Sequence, residues 1–286
     1  MSGERTLENL RQEIDQVDEM LHELIMRRSA LAEQIRQAKD GAATDLLCPG
    51  REAEIMRSLI ARHRGRFPRR ALIRIWREIL GAMVGLQGKF SGAVFMPERG
   101  AGYLELARMT YGSNTPMTSF RSAGQVVHTV AEGSATIGIL PMPGLESESV
   151  EHWWVSLMGD SPDLPRIIGR LPIAPDDSGE ETQALVIGHA RIEATGFDRS
   201  WMAVETHPDI SRGRLRSALN AAGLEPTNFV DTLRTEDVWL HLVEIAGMLT
   251  PDDRRLVRLC QTRDPVMRAV VLGSHPVPFP SEDLSE

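Results

Sequence analysis

The apolar residues Leu7, Leu10, Ile14, Val17, Leu21, Leu24, Leu31 and Ile35 return mostly at steps of three and four, the period that lines one face of an α-helix. The pattern predicts a single amphipathic helix from Leu7 to about Asp40, on the order of 50 Å long at 1.5 Å per residue. A rod of that length cannot bury its stripe against two short companions, so partner helices from a second chain are expected. "DGAATDLLCPG" breaks the pattern. A second helix is expected from near Pro49, whose missing N–H suits a first turn, through "REAEIMRSLIARH". A third follows from about Pro68 through "RRALIRIWREILGAMVGLQ". "GKFSG", residues 88–92, reads as a linker.

Past residue 92 short apolar runs alternate with helical ones: "AVFM", "GYLELARMTYG", "TSF", "AGQVVHTVAEG", "ATIGILP". That alternation predicts an α/β lobe with parallel strands and crossover helices. A polar stretch, "APDDSGEET", precedes a further strand, "QALVIGHA". The last ninety residues run strand "SWMAVETH", helix "GRLRSALNAAG", strands "TNFVDTLR" and "VWLHLVEIAG", helix "DDRRLVRLCQTR", strand "RAVVLGSH". This βαββαβ order suggests a ferredoxin-like domain. The expected organisation is therefore an all-α part at 1–90, an α/β lobe at 91–197 and a ferredoxin-like domain at 198–286. Trp153, Trp154, Trp201 and Trp239 are expected in cores.

Charge sharpens the picture of the first part. The net charge is −8, yet residues 1–90 hold 16 basic and 13 acidic side chains against 16 and 27 in the remainder. No basic run is interleaved with aromatics, so a small anion is a better ligand for this cationic third than nucleic acid. Two cysteines, Cys48 and Cys260, are too few for a disulfide framework, and the eight histidines lack ligand spacing. No cofactor or metal is expected. No run approaches the apolar length of a membrane span, and the start has no signal-peptide core, so a cytoplasmic protein is expected.

Arg28 is flanked at three and four residues by Leu24, Ile25, Leu31 and Ala32, with no acid in helical reach. Lys39, eleven residues on and close to three whole turns, extends the same stripe. Only Lys39 and Lys89 are lysines among 32 basic residues, and an ammonium delivers a point charge where a planar guanidinium does not fit. Arg11 lies near the stripe with Glu8 and Asp15 close by. Glu52 shares a stripe with Ile55, Met56 and Leu59, and Gln87 continues the line Trp76, Leu80, Met83. Any one of these arginines could simply snorkel to water, and Glu52 could be a first-turn acid. Several cations converging with an acid and an amide need a counter-charge, which a dianionic ligand would supply.

"LRQEIDQVDEMLHELIMRRSALAEQIRQAK", "PGREAEIM" and "IWREILGAMVGLQ" resemble the all-helical AroQ class of chorismate mutases over about residues 5–88. The likeness rests on the L-R-x-x-I-D-x-x-D start, an arginine and a lysine eleven apart, a P-x-R-E opening to the second helix and a closing L-Q on the third. It implies that Arg11, Arg28 and Arg51 hold the substrate carboxylates, that Lys39 and Gln87 face the ether oxygen, and that Glu52 meets the ring hydroxyl. It also implies an intertwined homodimer in which Arg11 crosses into the partner's site. Cys48 stands where some members have aspartate, and Met83 replaces a small hydroxyl residue.

Residues 93–280 resemble, more faintly, the prephenate dehydratase and ACT regions of bifunctional chorismate mutase–prephenate dehydratases, through "SFRSAGQVVHTVAEGSATIGILP" with Glu132, Gly133 and Pro141. After Pro141 the family's acid-amide-hydroxyl triplet is replaced by Met142, Pro143, Gly144, and its T-R-F signature by Thr182, Gln183, Ala184. Dehydratase chemistry is therefore not expected. Gly213 and Leu215 resemble the G-A-L segment of an ACT module, whose E-S-R-P segment is missing; an amino-acid effector there is one expectation, an inert association domain the other. The function expected is chorismate mutase. Its rival is a regulatory or binding protein of the aromatic pathway whose mutase module has decayed.

Overall fold

A computed structural model describes residues 6–38, 46–97, 102–144, 152–161, 163–175, 182–261 and 265–284. Three helices lead: α1 (Leu7–Ala38), α2 (Pro49–Arg62) and α3 (Arg69–Gln87). α2 starts at the expected proline, and α3 starts directly after Pro68, where the proline ring cannot continue a preceding turn. The far end expected for α1, at Asp40, lies outside the described residues. α1 is a bare rod of about 48 Å, with Ala32 as its one buried residue. Leu24 is 60% and Leu31 51% exposed, so the stripe read from the sequence exists but is uncovered within one chain.

Among the described residues, the rest of the chain builds one nine-stranded sheet, ordered β2-β1-β3-β5-β4-β9-β6-β8-β7. Its first part holds β1 (Gly92–Phe95), α4 (Gly102–Tyr111), β2 (Met117–Phe120), α5 (Ala123–Ala131), β3 (Ile137–Pro141), β4 (Arg166–Leu171) and β5 (Ala184–Gly188). β1 runs parallel to β2 and β3, as the crossover helices require. The all-parallel expectation fails at β5, which is antiparallel to both β3 and β4. β4 has no counterpart in the sequence reading: arginines flank its apolar residues and Gly169 interrupts them, so neither alternation nor a continuous apolar run marks it.

The second part is β6 (Asp198–Thr206), α6 (Arg212–Ala221), β7 (Pro226–Arg234), β8 (Trp239–Ala246), α7 (Arg254–Cys260) and β9 (Val266–Pro276). Its βαββαβ order and its strand arrangement β7-β8-β6-β9 are those of the expected ferredoxin-like unit. Met202, Val204, Leu215, Leu219, Val243 and Leu256 form the core under α6 and α7. The opposite face contributes Trp201, Ala203, Leu242 and Leu272 to the core that also contains Val94, Ile139 and Leu185. The stretches 91–197 and 198–286 thus share a sheet and one core face. They join where β4 meets β9 in parallel at Ile167 and Gly273. Gly273 has φ +147°, and a Cβ there would lie 2.2 Å from the Ile167 carbonyl oxygen, so only glycine lets the two halves close.

The helical part is bolted to this sheet through α2 and α3. At Gly81 a Cβ would lie 2.2 Å from the Tyr111 carbonyl oxygen, which shows how closely α3 crosses the end of α4. Arg57 donates to Thr195 Oγ1 at 2.9 Å and to the carbonyls of Phe197 and Val277 at 3.1 and 3.2 Å. Phe279 and Leu284, past the last strand, pack on Met56, Ile73 and Leu80. No described helix is long and apolar enough to cross a membrane.

His275, fully buried on β9, carries a consequence for stability. Its Nδ1 lies 2.8 Å from the Pro276 carbonyl oxygen, which can only accept, so Nδ1 holds the proton and Nε2 is left without a partner. Burial pulls its pKa down from 6.5 to about 4, outweighing the raising influence of the Pro276 carbonyl, Glu244 and Asp198, while Arg170 adds to the lowering. Between those pH values the unfolded chain takes up a proton that the native one refuses, so stability falls as pH drops from 6.5 to 4. The loss expected from this residue is about 3 kcal/mol. Denaturant melts of wild type and His275→Asn across that range measure it; parallel pH slopes would remove His275 as the cause.

Candidate functional site

The residues singled out in the sequence reach the structure in different states. Arg11 is exposed, with Glu8 at 4.0 Å. Arg28 is half-buried, and its pKa is lowered, chiefly by loss of water and against the attraction of Glu52. Arg28 and Glu52 are therefore close enough to sense one another. Lys39 lies outside the described residues. Arg51 is exposed on α2 and pairs with Glu54 at 3.1 Å. Gln87 donates from Nε2 to the Met83 carbonyl at 3.3 Å, which leaves its second amide N–H for another acceptor. Met83 itself is buried, and Cys48 is the N-cap residue of α2.

Glu52 is the pivot. Its Oε2 accepts from Arg77 Nη1 at 2.6 Å, and the two side chains are only 15% and 7% exposed. Pro49 opens α2 and sets Glu52 in the first turn, where the helix dipole favours a carboxylate. Arg77 reaches it from the middle of α3. The half-buried Tyr111 lies nearby; the pKa of its hydroxyl is raised by loss of water and then by the Glu52 charge, with Arg77 opposing. The cavity beside Glu52 measures about 50 Å³, room for a water or two.

One chain thus brings together Arg28, Glu52 and Arg77, and does not bring Arg11 to them. Seventeen residues separate Arg11 from Arg28 on one straight helix, which is about 25 Å. Arg77 was missed in the sequence, although the signal was the one that exposed Arg28: Ile73, Leu80 and Gly81 stand three and four residues away, and an arginine among them needs an internal counter-charge.

Breaking this pair should cost far more than a surface ion pair. Arg77→Met leaves Glu52 buried without its cation and is expected to destabilise by about 3–5 kcal/mol. The double variant Arg77→Met, Glu52→Leu should recover most of that. Urea denaturation of the three proteins tests it: a double variant no more stable than Arg77→Met would show that the pair is not the source of the loss.

One comparison with known proteins is confined to this segment, and the others extend beyond it. The family model for chorismate mutase type II matches residues 10–88. A bifunctional chorismate mutase/prephenate dehydratase of Pseudomonas aeruginosa is 27% identical over 157 residues, 53% of this chain and 43% of that protein. One from Aquifex aeolicus is 30% identical over 141 residues, 48% of this chain and 38% of its own length. The chain therefore matches less than half the length of these curated relatives. A solved prephenate dehydratase from Streptococcus mutans overlaps 66% of this chain and 98% of its own at 13% identity, with a TM-score of 0.45. The buried Glu52–Arg77 pair, the half-buried Arg28 and the closing Leu86-Gln87 all lie between residues 10 and 88, and that segment is a chorismate mutase type II domain.

Proposed function

We propose that the protein is a chorismate mutase that rearranges chorismate to prephenate in a homodimer built through α1. The observation that carries the reading is the uncovered face of α1. Eleven of the seventeen exposed large apolar side chains among the described residues sit on this one helix, a concentration that marks an interaction surface rather than ordinary surface scatter. A second α1 lying along it would cover the stripe and carry the partner's Arg11 the roughly 25 Å that separates Arg11 from Arg28 in one chain.

The rearrangement breaks one C–O bond and forms one C–C bond in a single electronic reorganisation, with no proton transfer and no covalent adduct. The protein has to clamp the reactive conformer and stabilise negative charge growing on the ether oxygen. In this reading Arg28, Arg51 and the partner's Arg11 hold the two carboxylates. Lys39 and the spare N–H of Gln87 donate to the ether oxygen. Arg77 occupies Glu52 Oε2, so Oε1 accepts from the ring hydroxyl. A millionfold acceleration needs about 8 kcal/mol, and one preorganised donor supplies roughly 3 kcal/mol, so two donors and conformer selection suffice. The sheet part serves as a scaffold that fixes α2 and α3, and its ferredoxin-like unit is where an amino-acid effector would act.

Loss of chorismate absorbance measures the activity directly. Lys39→Ala should lower kcat by at least a hundredfold without changing the melting temperature, and near-wild-type turnover would refute its role. Gln87→Glu should shift activity toward acid pH, since only the protonated carboxyl donates to the oxygen; a flat profile would take Gln87 out of the mechanism. For the assembly, sedimentation should give a dimer that Leu21→Asp with Leu24→Asp converts to monomer with loss of activity. A fully active wild-type monomer would sink the shared site.

A further inference from the structure

The cavity beside Glu52 has walls from both parts of the chain. Glu52 and Ala53 of α2 and Arg77 of α3 line it together with Tyr111, Gly169 and Pro276 of the sheet part. Tyr111 is the last residue of α4 and lies outside the matched residues 10–88. Its aim is fixed from several directions. Gly112, with φ +92°, ends α4 directly after it. The Tyr111 carbonyl lies against Gly81 of α3 and accepts from Thr115 Oγ1 at 2.6 Å. The ring packs on Phe90, with centroids 5.7 Å apart and planes tilted by 57°. At the far end the hydroxyl lies over Gly169 of β4, 3.8 Å from where a Cβ would stand.

So firmly held, the hydroxyl is a donor without an acceptor: it makes no hydrogen bond among the described residues. Loss of water is the largest cause of its raised pKa, so this end of the side chain sits away from bulk solvent and keeps its proton. A phenol placed there costs stability until the proton meets an oxygen. The carboxylate that shares the cavity is Glu52. Arg77 takes Oε2, and Oε1 has no donor among the described residues. The cavity's 50 Å³ leaves room for a water between the phenol and that oxygen.

We propose that Tyr111 is a positioning residue of the mutase site, an inference that rests on the mutase reading: its hydroxyl, through one water, holds Glu52 Oε1 toward the ring hydroxyl of the substrate. With Arg77 on one oxygen and Tyr111 on the other, the carboxylate has no free rotation left. A carboxylate oxygen has two lone pairs, so Oε1 accepts from the water and from the ring hydroxyl together. The sheet part then supplies a group to the site as well as support. The ring hydroxyl takes no part in the bond exchange, so its contact is the same before and during the reaction. Loosening that contact raises KM and leaves kcat in place.

Steady-state kinetics of the full-length protein, followed by chorismate absorbance, test the proposal with Tyr111→Phe, which removes the hydroxyl and keeps the ring. KM should rise about fivefold while kcat stays within about twofold. A chorismate analogue in which hydrogen replaces the ring hydroxyl, its affinity read as competitive inhibition, should bind wild type and Tyr111→Phe equally, because Tyr111 acts only through that hydroxyl. Phe90→Leu, which disturbs the ring contact and spares the phenol oxygen, should keep the wild-type KM. An unchanged KM in Tyr111→Phe would overturn the inference alone. An equal loss with the analogue, or the same shift in Phe90→Leu, would reduce Tyr111 to packing and overturn it too. A wild type that leaves chorismate unchanged would overturn the mutase reading and this inference with it.

Discussion

Two charges taken out of water between α2 and α3 set the terms for the rest of the structure. The desolvation of Glu52 and Arg77 amounts to several kcal/mol per ion, and it is offset only while the contact stays near its 2.6 Å. That demand fixes the roll of α2 against α3. It also explains why so much of the sheet part leans on these two helices: Arg57 reaches across to the 195–197 turn and to Val277, Gly81 admits Tyr111, and Phe279 and Leu284 fill the groove by Met56. A pair that tolerates little displacement needs a stiff surround.

α1 has no such surround. It touches α3 near its C-terminal end, where Arg28 is half-buried and Ala32 fully so, while its remaining length stands clear of the chain. The asymmetry is physically coherent if α1 is the exchangeable element and α2 with α3 the fixed one. In the proposed dimer the fixed pair would keep Glu52 in place with or without a partner, and the long helix would bring the cations of the second copy. A charge cluster assembled across copies also avoids burying several arginines in a monomer without counter-ions.

What the sequence disclosed follows from which interactions are local. Helical periodicity disclosed the start of α1 and both ends of α2 and α3 nearly to the residue, because each has one apolar face and a proline stands at the start of the second and third. Alternation of strand and helix disclosed the βαββαβ unit. β4 escaped because its apolar core of Ile167, Ile168 and Leu171 is flanked by arginines whose partners are distant in sequence: Arg170 meets Glu244 at 3.1 Å and Arg166 donates to the Val271 carbonyl at 2.8 Å. The antiparallel turn of β5 was hidden for a related reason, since strand direction depends on pairing rather than composition. In the site, the burial of Glu52 and Arg28 was legible from their apolar neighbours. Arg77 carries the same mark, yet the partner that decides its role is 25 residues away on another helix, and single-helix reasoning has no access to it.

The same logic bears on how a rearrangement that uses no acid, base or metal could be accelerated at all. Its barrier falls only as far as fixed dipoles and charges are already in position when charge develops, so the value of a donor depends on the rigidity behind it. In this chain rigidity comes from an element foreign to the three helices. The nine-stranded sheet closes through Gly273 onto β4 and sends its last residues back between α2 and α3. Substitutions at that distant joint, by moving Phe279 and Leu284 a few tenths of an ångström, would loosen the wall that holds Glu52 before they touched any group in contact with substrate. The sheet can therefore govern the helical domain by holding still the part of it that must not move.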